Sequence, residues 1–249
     1  MIPSQDLVAL ESATVSEVDI SDWRREVRRV GALAAVFFLF CLSAHAAPRK
    51  YHLELDANLG AVFPTFGRFG NIRIHVYPAG VRADSSLLNA FSRNGVRTLT
   101  VLKPTVRMYT DVAFTEMTTM IAAGTDEFED VPRIVGPTLG KVGTLVAMRY
   151  RLQYNKTEWI DVWISRDVPA NPQFRAIIDA AIRGLSHRSA DVVRTIPGTP
   201  VYIELNLRGY DKVALLKPRR LTWNNQGETA ALNLGDRYFK VPILDTIWR

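Results

Sequence analysis

The 249-residue chain has one cysteine, Cys41, and it lies inside an apolar run near the N-terminus. Everything beyond residue 46 is therefore free of cysteine. That excludes a disulfide, a thiol nucleophile and a cysteine metal site there. Phe40 puts a bulky ring where lipoprotein acylation takes a small residue, which counts against a lipid anchor on Cys41. Histidine is scarce too, with four in the chain, and no H-E-x-x-H or G-x-S-x-G pattern occurs. Gly136-Pro137-Thr138-Leu139-Gly140-Lys141-Val142 is one residue short of a phosphate loop between its glycines, and Val142 replaces the magnesium-binding hydroxyl. No repeat and no low-complexity linker is present. The expectation is a protein that is not an enzyme, with no cofactor, no metal and no catalytic residue.

What is present begins with an export pattern. Arg24, Arg25, Arg28 and Arg29 precede the thirteen-residue apolar run Val30–Leu42, and Ser43-Ala44-His45-Ala46 follows. A basic flank, a short apolar core and a small-x-small end form a secretory signal peptide, and about 20 residues would be needed to span a membrane. The expected division is residues 1–23 as an N-terminal tail or an early start site, 24–46 as the signal, and 47–249 as one domain. An uncleaved, membrane-anchored form is the alternative to a periplasmic or secreted one. Residues 1–46 hold four basic and six acidic groups, so the overall charge of +6 becomes +8 for the remaining 203 residues. For a basic exported protein the expected contacts are an anionic membrane surface or acidic envelope polymers, not nucleic acid.

Beyond the signal, alternation of period two dominates, the mark of half-buried strands. Tyr51–Asp56 alternates. Asn71–Val76 alternates and turns through Tyr77-Pro78-Ala79-Gly80 into Val81–Ser85, pairing Val76 with Val81 and Arg73 with Asp84. Arg97–Leu102 and Thr105–Tyr109 read as strands, Asp111–Ala123 as a helix and Thr125–Asp130 as a solvated acidic loop. Gly143–Ser165 reads as a hairpin turning at Asn155-Lys156. Asn171 and Pro172 start a helix with an apolar stripe from Phe174 to Leu185. Val192–Pro197 reads as irregular or short strand. Pro200–Leu207, Lys212–Leu216, Arg219–Trp223, Thr229–Leu234 and Tyr238–Val241 read as strands. The order predicts a mainly β, α+β fold: a large antiparallel sheet with helices over its concave face.

Candidate binding residues come from the hairpin. With Leu152 opposite Trp159 and Met148 opposite Trp163, one face carries Met148, Tyr150, Leu152, Tyr154, Trp159 and Trp163, while Arg149 and Arg151 lie beside Ile160 and Val162 on the other. A one-residue slip exchanges these faces. The aromatic face either packs plainly against the helix or walls a hydrophobe-binding cavity, and the candidate lining is Met148, Tyr150, Leu152, Trp159, Trp163, Phe174 and Ile178. Asp161, between the tryptophans, is either an acid of raised pKa or the partner of an arginine. His52 and Glu54 share a strand face, but two ligands make no metal site, and His75 and His187 read as surface polar residues.

The element order and several motifs resemble the LolA/LolB-like superfamily of bacterial envelope proteins, in an uncharacterised branch. The carriers are the hairpin Asn71–Ser85; the strands ending in Arg107-Met108-Tyr109; Gly143–Tyr150 followed by Asp161-Val162-Trp163-Ile164-Ser165-Arg166-Asp167-Val168-Pro169; and Tyr238-Phe239-Lys240-Val241-Pro242. The resemblance implies a curved half-barrel and non-covalent binding of a lipid, a lipoprotein acyl chain or another hydrophobic small molecule. The alternative is an envelope interaction or sensor module with a filled core.

Overall fold

Two antiparallel meanders meet at one central strand pair. The computed structural model describes residues 50–62, 67, 69–122, 131–207, 210–224 and 228–242. The N-terminal tail, the signal and the acidic loop lie outside them. The first meander runs outward through β1 (Tyr51–Ala57), β2 (Ile72–Tyr77), β3 (Gly80–Asp84), β4 (Asn89–Arg93), β5 (Thr98–Lys103) and β6 (Met108–Ala113). The second runs inward from the opposite edge through β7 (Arg133–Val142), β8 (Leu145–Gln153), β9 (Trp159–Ser165), β10 (Thr199–Leu207) and β11 (Tyr210–Trp223). β1 pairs with β11 and closes the join, and β12 (Phe239–Lys240) adds in parallel to β6. The result is one open sheet of twelve strands among the described residues, mainly β as expected.

The helices are α1 (Phe114–Ala122), α2 (Pro172–Leu185), α3 (His187–Thr195) and the single turn α4 (Glu228–Ala231). α2 forms as its sequence dictates. Asn171 accepts the Phe174 N–H at 2.8 Å, and Pro172 takes the first helical position. The Asn171 amide also donates to the Tyr77 carbonyl at 2.6 Å, tying the helix start to the end of β2. Phe174, Ile178 and Ile182 are buried in one cluster with Leu53, Leu55, Val76, Ile160, Val162, Ile203 and Leu205. The helix thus lies on the sheet face built by alternate residues of the central strands. Arg175 locks α3 against α2, donating to the carbonyls of Val193, Arg194, Ile196 and Gly198 at and just beyond the end of α3, where helical carbonyls run short of partners.

The first hairpin keeps the expected register, with Val76 opposite Val81 and Arg73 opposite Asp84. Asp84, however, is held by Arg82 at 2.8 Å from the same strand. Other elements shift for local reasons. β6 extends to Ala113 because Thr110 and Val112 are buried against β5, so the helix begins at Phe114 and not at Asp111. Residues 192–195 are helical because Ser186 accepts the Ser189 N–H and starts α3. β11 continues through Pro218 because its register with β1 slips between Glu54 and Leu55, the bulge that lets a proline into a strand. The expected strand over 229–234 is replaced by α4 at its start, and β4 and β7 are strands that the alternation did not reveal.

Replacing Asn171 with alanine removes the cap and the buried bond to the Tyr77 carbonyl. The expected loss is about 2–3 kcal/mol, read as a lower urea midpoint at unchanged slope. An unchanged midpoint would show that the α2–β2 junction does not depend on this side chain.

Candidate functional site at the β7 end of the sheet

The hairpin of β8 and β9 turns through a longer loop than two residues. The Asn155 carboxamide oxygen accepts from the Thr157 and Glu158 N–H groups at 2.9 and 2.8 Å, and Tyr154 N–H meets the Glu158 carbonyl at 3.0 Å. Asparagine bonding its own backbone two residues on is a turn device in its own right. Register follows the loop: Met148 faces Ile164, Arg149 faces Trp163, Arg151 faces Asp161 and Leu152 faces Ile160. This is the one-residue slip, and it corrects the expected face. Residues paired across a ladder share a face, so Trp159 and Trp163 part from Met148, Tyr150 and Leu152.

On the face away from α2, Asp161 is 3 % exposed between the two tryptophans. Arg149 Nε donates to Oδ2 at 3.0 Å, and Arg151 donates from Nε to Oδ1 at 2.7 Å and from Nη2 to Oδ2 at 2.9 Å. Of the two readings of Asp161, this is the arginine pair. The guanidinium of Arg151 lies 4.0 Å from the Trp159 ring centroid and that of Arg149 lies 6.0 Å from Trp163, so the rings carry the cations that hold the acid. Trp163 meets Tyr202 edge-on and lies over Gly140, where an added Cβ would come within 2.7 Å of the indole. Tyr202 donates to Glu204 at 2.5 Å; burial, then that bond, raises its phenol pKa.

On the α2 side, Leu152 and Phe174 are fully buried, Ile178 is buried, and Met148 and Tyr150 are half-buried. A small apolar cavity of about 40 Å³ lies under α2, lined by Ile178, Ile182 and Ala181 from the helix and Ile74, Ile203 and Leu216 from the sheet. Of the seven expected lining residues, Ile178 alone is among those that line it.

The feature that alternation missed is β7. It is ten residues long, ends the sheet, and among the described residues nothing pairs with its outer side. It slips against β8 between Val135 and Thr138, so Gly136 and Pro137 form a bulge and no phosphate loop. Ile134 pairs with Leu152, Leu139 with Met148 and Lys141 with Val146. Ile134, Leu139 and Val146 therefore continue the α2-side face beyond the helix, and they are 43 %, 69 % and 42 % exposed. That exposure is why the sequence carried no signal for β7: a strand without a partner on its outer side and exposed over most of its length has no reason to alternate.

No protein-family model and no curated protein matches the chain. Among solved structures, an uncharacterized conserved protein from Thermus thermophilus overlays with a TM-score of 0.43 at 8 % identity, covering 84 % of this chain and 99 % of that one. MucB in the Pseudomonas aeruginosa MucA/MucB complex overlays with a TM-score of 0.35 at 10 % identity, covering 78 % of this chain and 59 % of MucB. A second complex of MucB with the MucA periplasmic segment gives a TM-score of 0.34 at 9 % identity, over 78 % of this chain and 57 % of MucB. No helix among the described residues is long and apolar enough to cross a membrane.

Asp161→Ala leaves two guanidiniums over the tryptophans without their acid. It should cost about 3 kcal/mol, the low end for breaking a buried ion pair because both arginines keep partial contact with water. Urea unfolding followed by tryptophan fluorescence measures it. A change below about 0.5 kcal/mol, the range of ordinary surface substitutions, would remove the cluster from any structural role.

Proposed function

We propose that this chain is an exported binding module with a filled core, which takes up an extended segment of a partner protein along the free edge of β7. The observation that carries the reading is that edge: a ten-residue strand whose outward backbone groups have no ladder partner among the described residues, flanked on the α2-side face by exposed Ile134, Leu139 and Val146. An added strand would satisfy the backbone groups, and its alternate side chains would cover the apolar ones. Arg133 and Lys141 on β7, within a chain of net charge +6, favour an acidic segment. The bulge at Gly136-Pro137 interrupts the edge and guards it against self-association. Export rests on the pattern of residues 24–46.

The lipid or acyl-chain reading stands second. The residues lining the cavity under α2 are all apolar, which favours it, but the space is about 40 Å³. Pockets that hold small ligands run to roughly 300–1,000 Å³. An acyl chain would enter only if α2 left the sheet, exposing Phe174, Ile178 and Ile182.

The test is hydrogen exchange of the full chain with a synthetic extended peptide of alternating glutamate and valine. The β7 amides should slow on addition of peptide, the effect should weaken with salt, and Leu139→Glu should reduce affinity roughly tenfold. Protection that falls elsewhere, or that survives Leu139→Glu unchanged, would refute the edge as the binding site. Slowed exchange of α2 with a fatty acid in place of the peptide would favour the second reading.

A further inference from the structure

The pairing of β1 with β2 gathers a polar cluster on the face turned away from α2. Glu54 sits opposite His75, and the same ladder sets His52 beside Tyr77. The His52 ring stacks on Tyr77 at 4.6 Å and 6°, and on His75 at 5.1 Å and 21°. His52 Nε2 and His75 Nδ1 face each other at 2.8 Å. One nitrogen from each imidazole and one Glu54 carboxylate oxygen all lie within 4.8 Å of one another.

We propose that His52, Glu54 and His75 form a binding site for a divalent transition-metal ion of the zinc type. Two imidazoles and a carboxylate are the ligand chemistry that Zn²⁺ takes with a fourth position left open. Two Zn–N bonds at a tetrahedral angle hold their nitrogens about 3.4 Å apart, so the 2.8 Å pair has to open by about 0.6 Å.

Two further observations point to the same place. Glu54 is a half-buried carboxylate with no hydrogen bond among the described residues. Its nearest basic nitrogens are His52 Nδ1 at 3.8 Å and Arg219 Nε at 4.0 Å. A carboxylate so placed has acceptor capacity to spare. Second, His75 turns its other nitrogen, Nε2, toward Asp84 Oδ2 at 3.5 Å, and Arg82 fixes Asp84 with Nε bonds of 2.8 and 2.9 Å. A carboxylate behind a histidine is how metal-binding imidazoles are oriented, with the proton on the far nitrogen. Beside the cluster opens a cleft of about 270 Å³, lined by His75, Asp84, Arg73 and Arg219 among others. The three side chains are themselves partly exposed, His52 at 12 %, Glu54 at 20 % and His75 at 16 %, which gives an ion access from solvent. The three ligands come from two strands, so the ion would also clamp β1 to β2 next to the join between the meanders.

The test is Co²⁺ and Zn²⁺ titration of the full chain without an affinity tag, reading visible absorption for Co²⁺ and the heat of binding and melting temperature for Zn²⁺. The expected result is one ion per chain, a raised melting temperature, and at least tenfold weaker binding in each of His52→Ala, Glu54→Gln and His75→Ala. Asp84→Asn should weaken binding about tenfold by loosening His75, and His187→Ala should leave it unchanged. Glu54→Gln preserves shape, so it decides the matter if a histidine variant fails to fold. Absence of binding at about 1 mM ion, or equal affinity in Glu54→Gln and the parent chain, would overturn the site.

Discussion

The register of β8 against β9 is the constraint on which the rest depends. Asn155 sets it by taking two backbone N–H groups into its own side chain, and Arg149 and Arg151 fix it by closing on Asp161. One residue of slip in a ladder exchanges every side chain between faces. In the register adopted, Ile160, Val162 and Ile164 turn toward α2, and the two tryptophans turn away to carry guanidiniums. The alternative would set Arg149 and Arg151 against Ile160 and Val162 and leave Asp161 between two rings with no cation. Desolvation of three charged groups decides against it.

That choice fixes the character of the α2-side core. Branched side chains from β9 and β10 meet Phe174, Ile178 and Ile182 and leave about 40 Å³ beneath the helix. α2 is fastened twice at its N-terminal end: Asn171 binds the end of β2, and Arg175, in the first turn, binds the carbonyls around the end of α3. A helix so tied acts as part of the core. Among the described residues the sheet is left unpaired at β7, with apolar side chains that α2 does not reach.

Much of this was legible in the residues. Asn171-Pro172 announced α2, and its stripe named Phe174 and Ile178 as buried. The β2–β3 hairpin was readable to the register, because Tyr77-Pro78-Ala79-Gly80 allows one tight turn. The β8–β9 register was not, because Asn155-Lys156 fits a two-residue turn equally well and the contest is settled by Asn155 bonding its own backbone. β7 was illegible because an exposed edge needs no alternation. His75 could not be joined to His52 and Glu54 by spacing, since the three meet only through the pairing of two strands.

The most direct test of the filled core is native mass spectrometry of the protein taken from the cell envelope, compared with the same sample after denaturation. The account predicts one mass, that of the polypeptide with or without a bound metal ion, and no amphiphile released on unfolding. A stoichiometric lipid or fatty acid that leaves only when the chain unfolds would contradict it.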